Sequence, residues 1–269
     1  MDPPTDRPRH DLIPPDEQLR RAGQALTLIV PVFNEAENFP ALVAAIERDV
    51  PPPFRVLVVY DFDEDTTLPV VRGLAASRDW LQLVRNEIGR GAANALRAGF
   101  RVAPPGPALV VMADLSDNLA SVPAMLDLYR LGYGIVAGSR YMPGGRQQGG
   151  PLLKRSLSRA AGLSLHYLAG LPTHDATNNF RLYDADLVRQ LGIESDAGFA
   201  VALELTAKAF ASGVPIAETP TTWRDRSAGQ SNFRLFRWLP SYLKWYRHAL
   251  WAGWIKRRRN AESPMTSRQ

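Results

Sequence analysis

Five short apolar runs alternate with stretches of helical period through the first half of this chain, and few folds accommodate that alternation. "ALTLIVPVF", "RVLVVYDF", "LQLVRN", "ALVVMADL" and "YGIVAGSRY" each read as a strand. Between the first two, "NEAENFPALVAAIERDV" sets Phe39, Leu42, Val43 and Ile46 on one helical stripe. "TLPVVRGLAASRD", "GRGAANALRAGFRVA" and "ASVPAMLDLYRLG" separate the later strands in the same way. Near-continuously apolar strands joined by helices predict an α/β fold: a mostly parallel sheet with helices on both faces. In such sheets ligands bind at the carboxyl ends of the strands.

Three of those ends are polar or acidic: Asn34 and Glu35 after the first strand, Asp61 to Asp65 after the second, Asp114 to Asp117 after the fourth. A carboxylate at the mouth of a buried strand needs a partner, because desolvating it alone is costly. Asp61 is placed to accept from the N–H edge of a nucleobase, and Asp65 to cap the helix that begins near Thr66. Asp114, with Ser116 and Asp117 close behind, offers oxygen donors that suit magnesium or manganese. For Ser116, Asp117 and Asn118 a helix-capping role fits equally well. "GRGAAN" follows the third strand and lacks the third glycine of a dinucleotide fingerprint, so its glycines read as helix entry.

The chain has no cysteine, which excludes disulfides and thiolate metal sites. Residues 1–24, rich in proline and charge, read as a flexible lead-in without a secretory signal pattern. No apolar run approaches the roughly 18 residues of a membrane span. These features place the protein in the cytoplasm. Eight Lys or Arg and no acid fall between Asn232 and Asn260, although the whole chain carries only +5. The basic tail therefore follows a mildly acidic body. Nucleic acid is not the expected partner, because the acidic strand ends would repel phosphates.

The second half carries Arg140, Lys154, Arg155, Arg159, Arg181 and Arg226 in or beside polar loops. Guanidinium forks match phosphate geometry, while solvated surface charge is the ordinary role of any single one. His166 sits in an apolar helix and reads as packed; His174, beside Asp175, fits either a structural or a functional role.

Taken in order, "VPVFNEAENFPALV", "VLVVYDFDEDTT", "NEIGRGAANALRAGF", "VVMADLSD", "GSRYMPGG", "THDATNNFRLYDADLV" and "VPIAETPTTWRDRSAGQSN" resemble family 2 glycosyltransferases of GT-A fold. The likeness is greatest to the dolichyl- or polyprenyl-phosphate mannose synthase branch and runs from Leu26 to about Ser231. It implies that Pro31, Phe33 and Glu35 hold a nucleoside and that Asp61 reads its base. It implies that Asp114 ligates Mg2+ or Mn2+ on the donor diphosphate, with Ser116 where the family often has glutamine. Arg226 matches the arginine that reaches the donor phosphates; Arg140, Lys154 and Ser158 match positions near an acceptor phosphate, and Arg181 sits in the family's "GFR" element. The chain departs from the family at Tyr60, Phe62, Met112 and Asn232, which replace Asp, Gly, Asp and Lys. Asp117 is a candidate to compensate for Met112.

The expected organisation is a transferase domain over 25–231, divided into a nucleotide and metal half (25–118) and an acceptor half (119–231). A basic aromatic helical tail (232–260) and a flexible end (261–269) follow. The implied reaction is inverting hexose transfer from a GDP- or UDP-sugar to a polyprenyl phosphate. With a hydroxyl acceptor instead, a base is needed, and Asp175 is the candidate. A chain that binds nucleotide sugar without turnover is the other alternative. In the tail, Leu243, Tyr246, Leu250 and Trp254 recur at helical spacing with Lys244, Arg247 and His248 offset. That composition suits the interface of an anionic membrane, here the inner face of the cytoplasmic membrane.

Overall fold

The computed structural model describes residues 12–196, 200–225 and 235–262. It opens with a helix, α1 (Pro15–Ala22), inside the stretch expected to be a flexible lead-in. Proline at its first turn, Asp16 and Glu17 there and Arg20 and Arg21 at its end all favour a short helix. Strands β1 (Leu26–Pro31), β2 (Phe54–Tyr60), β3 (Leu81–Arg85) and β4 (Pro107–Val110) then alternate with α2 (Phe39–Asp49), α3 (Thr67–Ala75) and α4 (Ala92–Val102). After β4 come α5 (Val122–Arg130), β5 (Ile135–Ser139), β6 (Arg146–Gln148) and α6 (Leu152–Ser164), which runs into a wider π-helical turn over Leu165–Ala169. The remainder is β7 (Arg181–Asp184), α7 (Ala185–Leu191), α8 (Val201–Ala211), β8 (Ile216–Pro220), β9 (Thr222–Arg224) and α9 (Leu235–Glu262). α1 is tied to α5 by Arg21, whose Nη1 donates to the Tyr129 carbonyl at 3.2 Å while its guanidinium lies over the Tyr129 ring.

Seven strands form one sheet in the order β3-β2-β1-β4-β7-β5-β8. All neighbours are parallel except β7, which runs antiparallel to both β4 and β5. The mostly parallel sheet expected from the apolar runs is therefore present, with one reversed strand. Alternating residues of β1 feed two cores. Leu26, Leu28 and Val30 meet Phe39, Leu42 and Ile46 of α2, and Tyr129 of α5, on one face. Ile29 joins Leu96 and Phe100 of α4, with α8 and α9 further along the other face. α4 lies so close that a Cβ on Gly99 would stand 2.5 Å from the Ile29 side chain.

The chain leaves β1 toward β2 and β3, then returns to β4 on the other side of β1. That reversal makes the carboxyl ends of β1, β2 and β4 the switch point of the sheet, outside which α/β sheets bind ligands. A second, two-stranded parallel sheet, β6 with β9, pairs Arg146 with Thr222 and Gln148 with Arg224. The Arg224 N–H donates to the Ser116 carbonyl at 3.0 Å, so this small sheet is fastened to the loop after β4.

Candidate active site

The three aspartates after β2 have different partners. Asp65 is buried; it accepts from the Thr67 N–H at 2.8 Å, the capping contact expected of it, and from the Asn34 N–H at 3.1 Å. It thereby joins the tips of β1 and β2, and Asn34 takes φ +56° to make the bond. Asp61 accepts from Asn86 Nδ2 through one oxygen and from the Gly91 N–H through the other, both at 2.7 Å. Gly91 has φ +112°, a conformation that glycine takes without strain. Asp61 thus sets the loop entering α4, where Arg90 lies over the ring of Phe62. Phe62 meets exposed Phe33 edge to face at 5.6 Å. Asp63 forms a half-exposed ion pair with Arg85. Pro31 closes β1, and the Glu35 N–H donates to Thr67 Oγ1 at 2.9 Å.

After β4 the chain turns through Leu115 at φ +60°. Asp114 and Ser116 are buried, and the Ser116 N–H donates to Asp114 Oδ1 at 3.2 Å. Asp117 folds back so that Oδ2 accepts the Met112 N–H at 2.9 Å. Burial pushes its carboxyl up to about 7 and the charge of Asp114 adds to this, against the Met112 N–H and Arg140. Among the described residues no group of three or more His, Cys, Asp or Glu is arranged to hold a metal ion. Mg2+ is commonly held by one or two carboxylates plus substrate phosphates. Asp114, Asp117 and the Ser116 hydroxyl fit that sparse requirement, and a cation between two repelling carboxylates would relieve them.

Arg140 meets Asp175 in a buried bidentate pair, Nε to Oδ2 at 2.7 Å and Nη2 to Oδ1 at 3.0 Å. Burial opposes charge on both groups, yet their attraction prevails: Asp175 is held below the usual carboxylate range and Arg140 above its own. Backbone N–H groups of Arg140, Thr177 and Asn178 also donate to Asp175. A carboxylate so fully engaged is a weak base, so the geometry removes the part given to Asp175 for a hydroxyl acceptor and makes it the anchor of Arg140. Arg140 Nη2 also reaches Ser158 and Thr177 at 3.1 Å, and Tyr141 donates to Ser158 at 2.9 Å. The Ser158, Thr177 and Tyr141 hydroxyls are thus ordered around one guanidinium. Sequence reasoning had found Ser158 but missed Tyr141 and Thr177, although "GSRY" and "DAT" hold both beside residues it did find.

A cavity of about 680 Å3 opens here, lined by Arg140, Arg146, Arg155, Arg159, Tyr167 and His174 among others. Arg181, expected near it, is elsewhere. It is wholly buried between β7 and α8, donating to the carbonyls of Asp175 (2.5 Å) and Ala202 (3.3 Å) and to the Thr206 hydroxyl. Burial lowers its affinity for the proton. Arg181 therefore holds the Asp175 loop from below and presents nothing to the cavity. Arg226 and the Lys154 side chain lie outside the described residues. Arg146 and Gln147 of the cavity lining belong to β6, and β9 binds Ser116, so the small sheet touches both the cavity and the acidic loop.

A mostly parallel open sheet with carboxylates beyond its strand ends at the switch point has the architecture of the GT-A fold. Glycosyl transferase family 2 matches residues 27–192, and the chain belongs to that family. It is 30% identical over 223 residues to polyprenol monophosphomannose synthase of Mycolicibacterium smegmatis, covering 78% of this chain and 82% of that protein. It is 30% identical over 208 residues to undecaprenyl-phosphate mannosyltransferase of Micrococcus luteus, covering 76% and 85%. In fold it is similar to glucosyl-3-phosphoglycerate synthase from Mycobacterium tuberculosis, solved with Mn2+, UDP-glucose and phosphoglyceric acid. The TM-score is 0.63 at 15% identity, over 88% of this chain and 82% of that one.

Proposed function

We propose that this enzyme transfers a hexose from a GDP- or UDP-sugar to a polyprenyl phosphate, with inversion, at the inner face of the cytoplasmic membrane. One observation carries the reading: four arginines line a cavity that reaches β6, and its partner strand β9 is bonded to the Ser116 carbonyl of the Asp114 loop. Arginines so placed suit a phosphate acceptor; one relative is named a polyprenol monophosphomannose synthase and the other an undecaprenyl-phosphate mannosyltransferase.

In the proposed reaction an acceptor phosphate oxygen forms a bond to the sugar's anomeric carbon. The bond from that carbon to the donor diphosphate breaks, and its electron pair leaves with the nucleoside diphosphate. A phosphate acceptor is already ionised, so no carboxylate base is required. Pro31, Phe33, Glu35 and Asp61 orient the nucleoside; Arg140 and Ser158 orient the acceptor, with Lys154 beside them. Asp114, Ser116 and Asp117 would hold Mg2+ or Mn2+, which when bound supplies positive charge at the diphosphate. Arg226 adds to that charge.

Access to a lipid is supported by exposed Leu152, Leu153 and Leu157 on α6 and by exposed Tyr167 and Leu168 on the π-helical turn. Tyr167 also lines the cavity, linking the apolar surface to the arginines. No helix among the described residues is long and apolar enough to cross a membrane. The test is a panel of GDP- and UDP-hexoses, mannose first, against a short-chain prenyl phosphate with and without Mn2+. A prenyl-phospho-hexose seen by mass spectrometry is the expected product. Transfer to hydroxyl acceptors alone would refute the reading.

A further inference from the structure

The same cavity holds a group that the reaction as described does not use. His174 lines it, and its main chain and ring are both held by Glu218 of β8. Glu218 accepts the His174 N–H at 2.8 Å, the Thr173 hydroxyl at 3.0 Å and the ring at Nδ1, 2.5 Å away. An ionised carboxylate can only accept, so Nδ1 must carry a hydrogen. Nε2, across the ring, has no hydrogen-bond partner among the described residues. His166 stacks on the ring at 3.8 Å, and Tyr167 meets it edge-on at 6.2 Å. The ring is therefore fixed in plane and tautomer, with one nitrogen left over on the wall of a cavity for an anion.

Resting on the acceptor reading above, we propose that His174 is a further acceptor-binding residue, which donates from Nε2 to a phosphate oxygen of a phosphomonoester in this cavity. For Nε2 to donate, the ring must take up a second proton. The cavity arginines draw the anion in, while Glu218 holds the far side of the ring through Nδ1 and keeps Nε2 turned away from itself.

Binding of farnesyl phosphate and of inorganic phosphate to the full chain, for the natural protein and for His174→Gln, tests this. Both ligands are expected to bind roughly tenfold more weakly to the variant, the worth of one charge-assisted hydrogen bond. The acceptor KM should rise by the same factor with kcat nearly unchanged. Loss for farnesyl phosphate alone would place the contact on the prenyl chain and overturn the proposal, as would equal affinity for both. Should the variant not fold, 15N spectra of the natural protein decide: the His174 Nε2 resonance must move when phosphate is added, and a static resonance overturns the idea. A natural protein that binds neither phosphomonoester overturns the acceptor reading itself, and this inference with it.

Discussion

Arg140 and Asp175 lie 35 residues apart in sequence and meet through two parallel hydrogen bonds, and neither side chain has appreciable contact with solvent. Removing one partner strands the other charge. Asp175→Asn should therefore cost about 3–5 kcal/mol of stability in urea unfolding, as for other broken buried pairs. Because folding lowers the Asp175 proton affinity, its stabilisation is complete above the ordinary aspartate range and is lost as pH falls through and below it. The variant should lack that acid-side component. Intact stability with abolished turnover would instead restore Asp175 as a base.

Phe33 stands exposed beyond β1, its ring edge to face with Phe62. More than half of its surface is open to solvent, so Phe33→Ala should shift the unfolding midpoint only slightly. If the ring supports the nucleobase, nucleoside diphosphate binding should weaken by about 1–3 kcal/mol, the range for a base stacked on an aromatic ring. Calorimetric titration with UDP and GDP measures it, and unchanged affinity for both removes Phe33 from the nucleoside site.

The Met112 N–H holds Asp117, and the family resemblance implies an aspartate in place of Met112. Met112→Asp would set a third carboxylate beside two that already repel. The variant should melt below the natural protein without metal and gain more from Mn2+. Its half-activating Mn2+ concentration should fall by roughly tenfold, since an added anionic ligand strengthens such sites. A melting temperature insensitive to Mn2+ in both proteins would count against a metal at Asp114.

Arg181 makes its contacts with carbonyls and a hydroxyl, and its Nε has no hydrogen-bond partner among the described residues. Lysine cannot reproduce the guanidinium fork. Arg181→Lys should lose about 3 kcal/mol or more, because acceptors and a charge are left badly paired in the core. The acceptor KM of the folded fraction should stay within twofold of the natural value, roughly the scatter allowed to a residue that touches no ligand. A large rise in KM with normal stability would return Arg181 to the acceptor site.

The strand ends were legible because a polar residue that stops an apolar run has few places to go, and Asp61, Asp65 and Asp114 all follow the carboxyl ends of β2 and β4. Arg181 was misplaced because an arginine in a polar stretch looks the same whether it faces solvent or a ring of carbonyls. Only the helix laid over β7 separates the two cases. The reversal of β7 was equally hidden, since a four-residue strand carries no sign of its direction. His174 needed His166 and Glu218 beside it, and those lie 8 and 44 residues away. The tail's helix was visible at its spacing, yet its buried register was not. Contact with α8 buries Trp245, Ala249 and Ala252, while Leu243 and Trp254 of the expected stripe are about half exposed.

That register divides Trp245, Trp251 and Trp254 of α9 into two kinds. Trp245 is 3% exposed, with Nε1 donating to Ser195 Oγ at 2.8 Å, and Lys208 and Lys244 stand over its ring. Trp251 and Trp254 are 59% and 49% exposed, and Arg258 lies against Trp254. Trp245→Ala should cost about 3–5 kcal/mol, the range for emptying an aromatic site in a core. Trp251→Ser with Trp254→Ser should stay within about 0.5 kcal/mol, as surface changes do. The pair is where lipid contact would register, since aromatic and basic residues together suit an anionic interface. Flotation with phosphatidylglycerol vesicles at low and high salt should therefore retain the natural protein and release the double variant, most clearly at high salt where the basic residues are screened. If both proteins float alike, this surface does not meet the membrane.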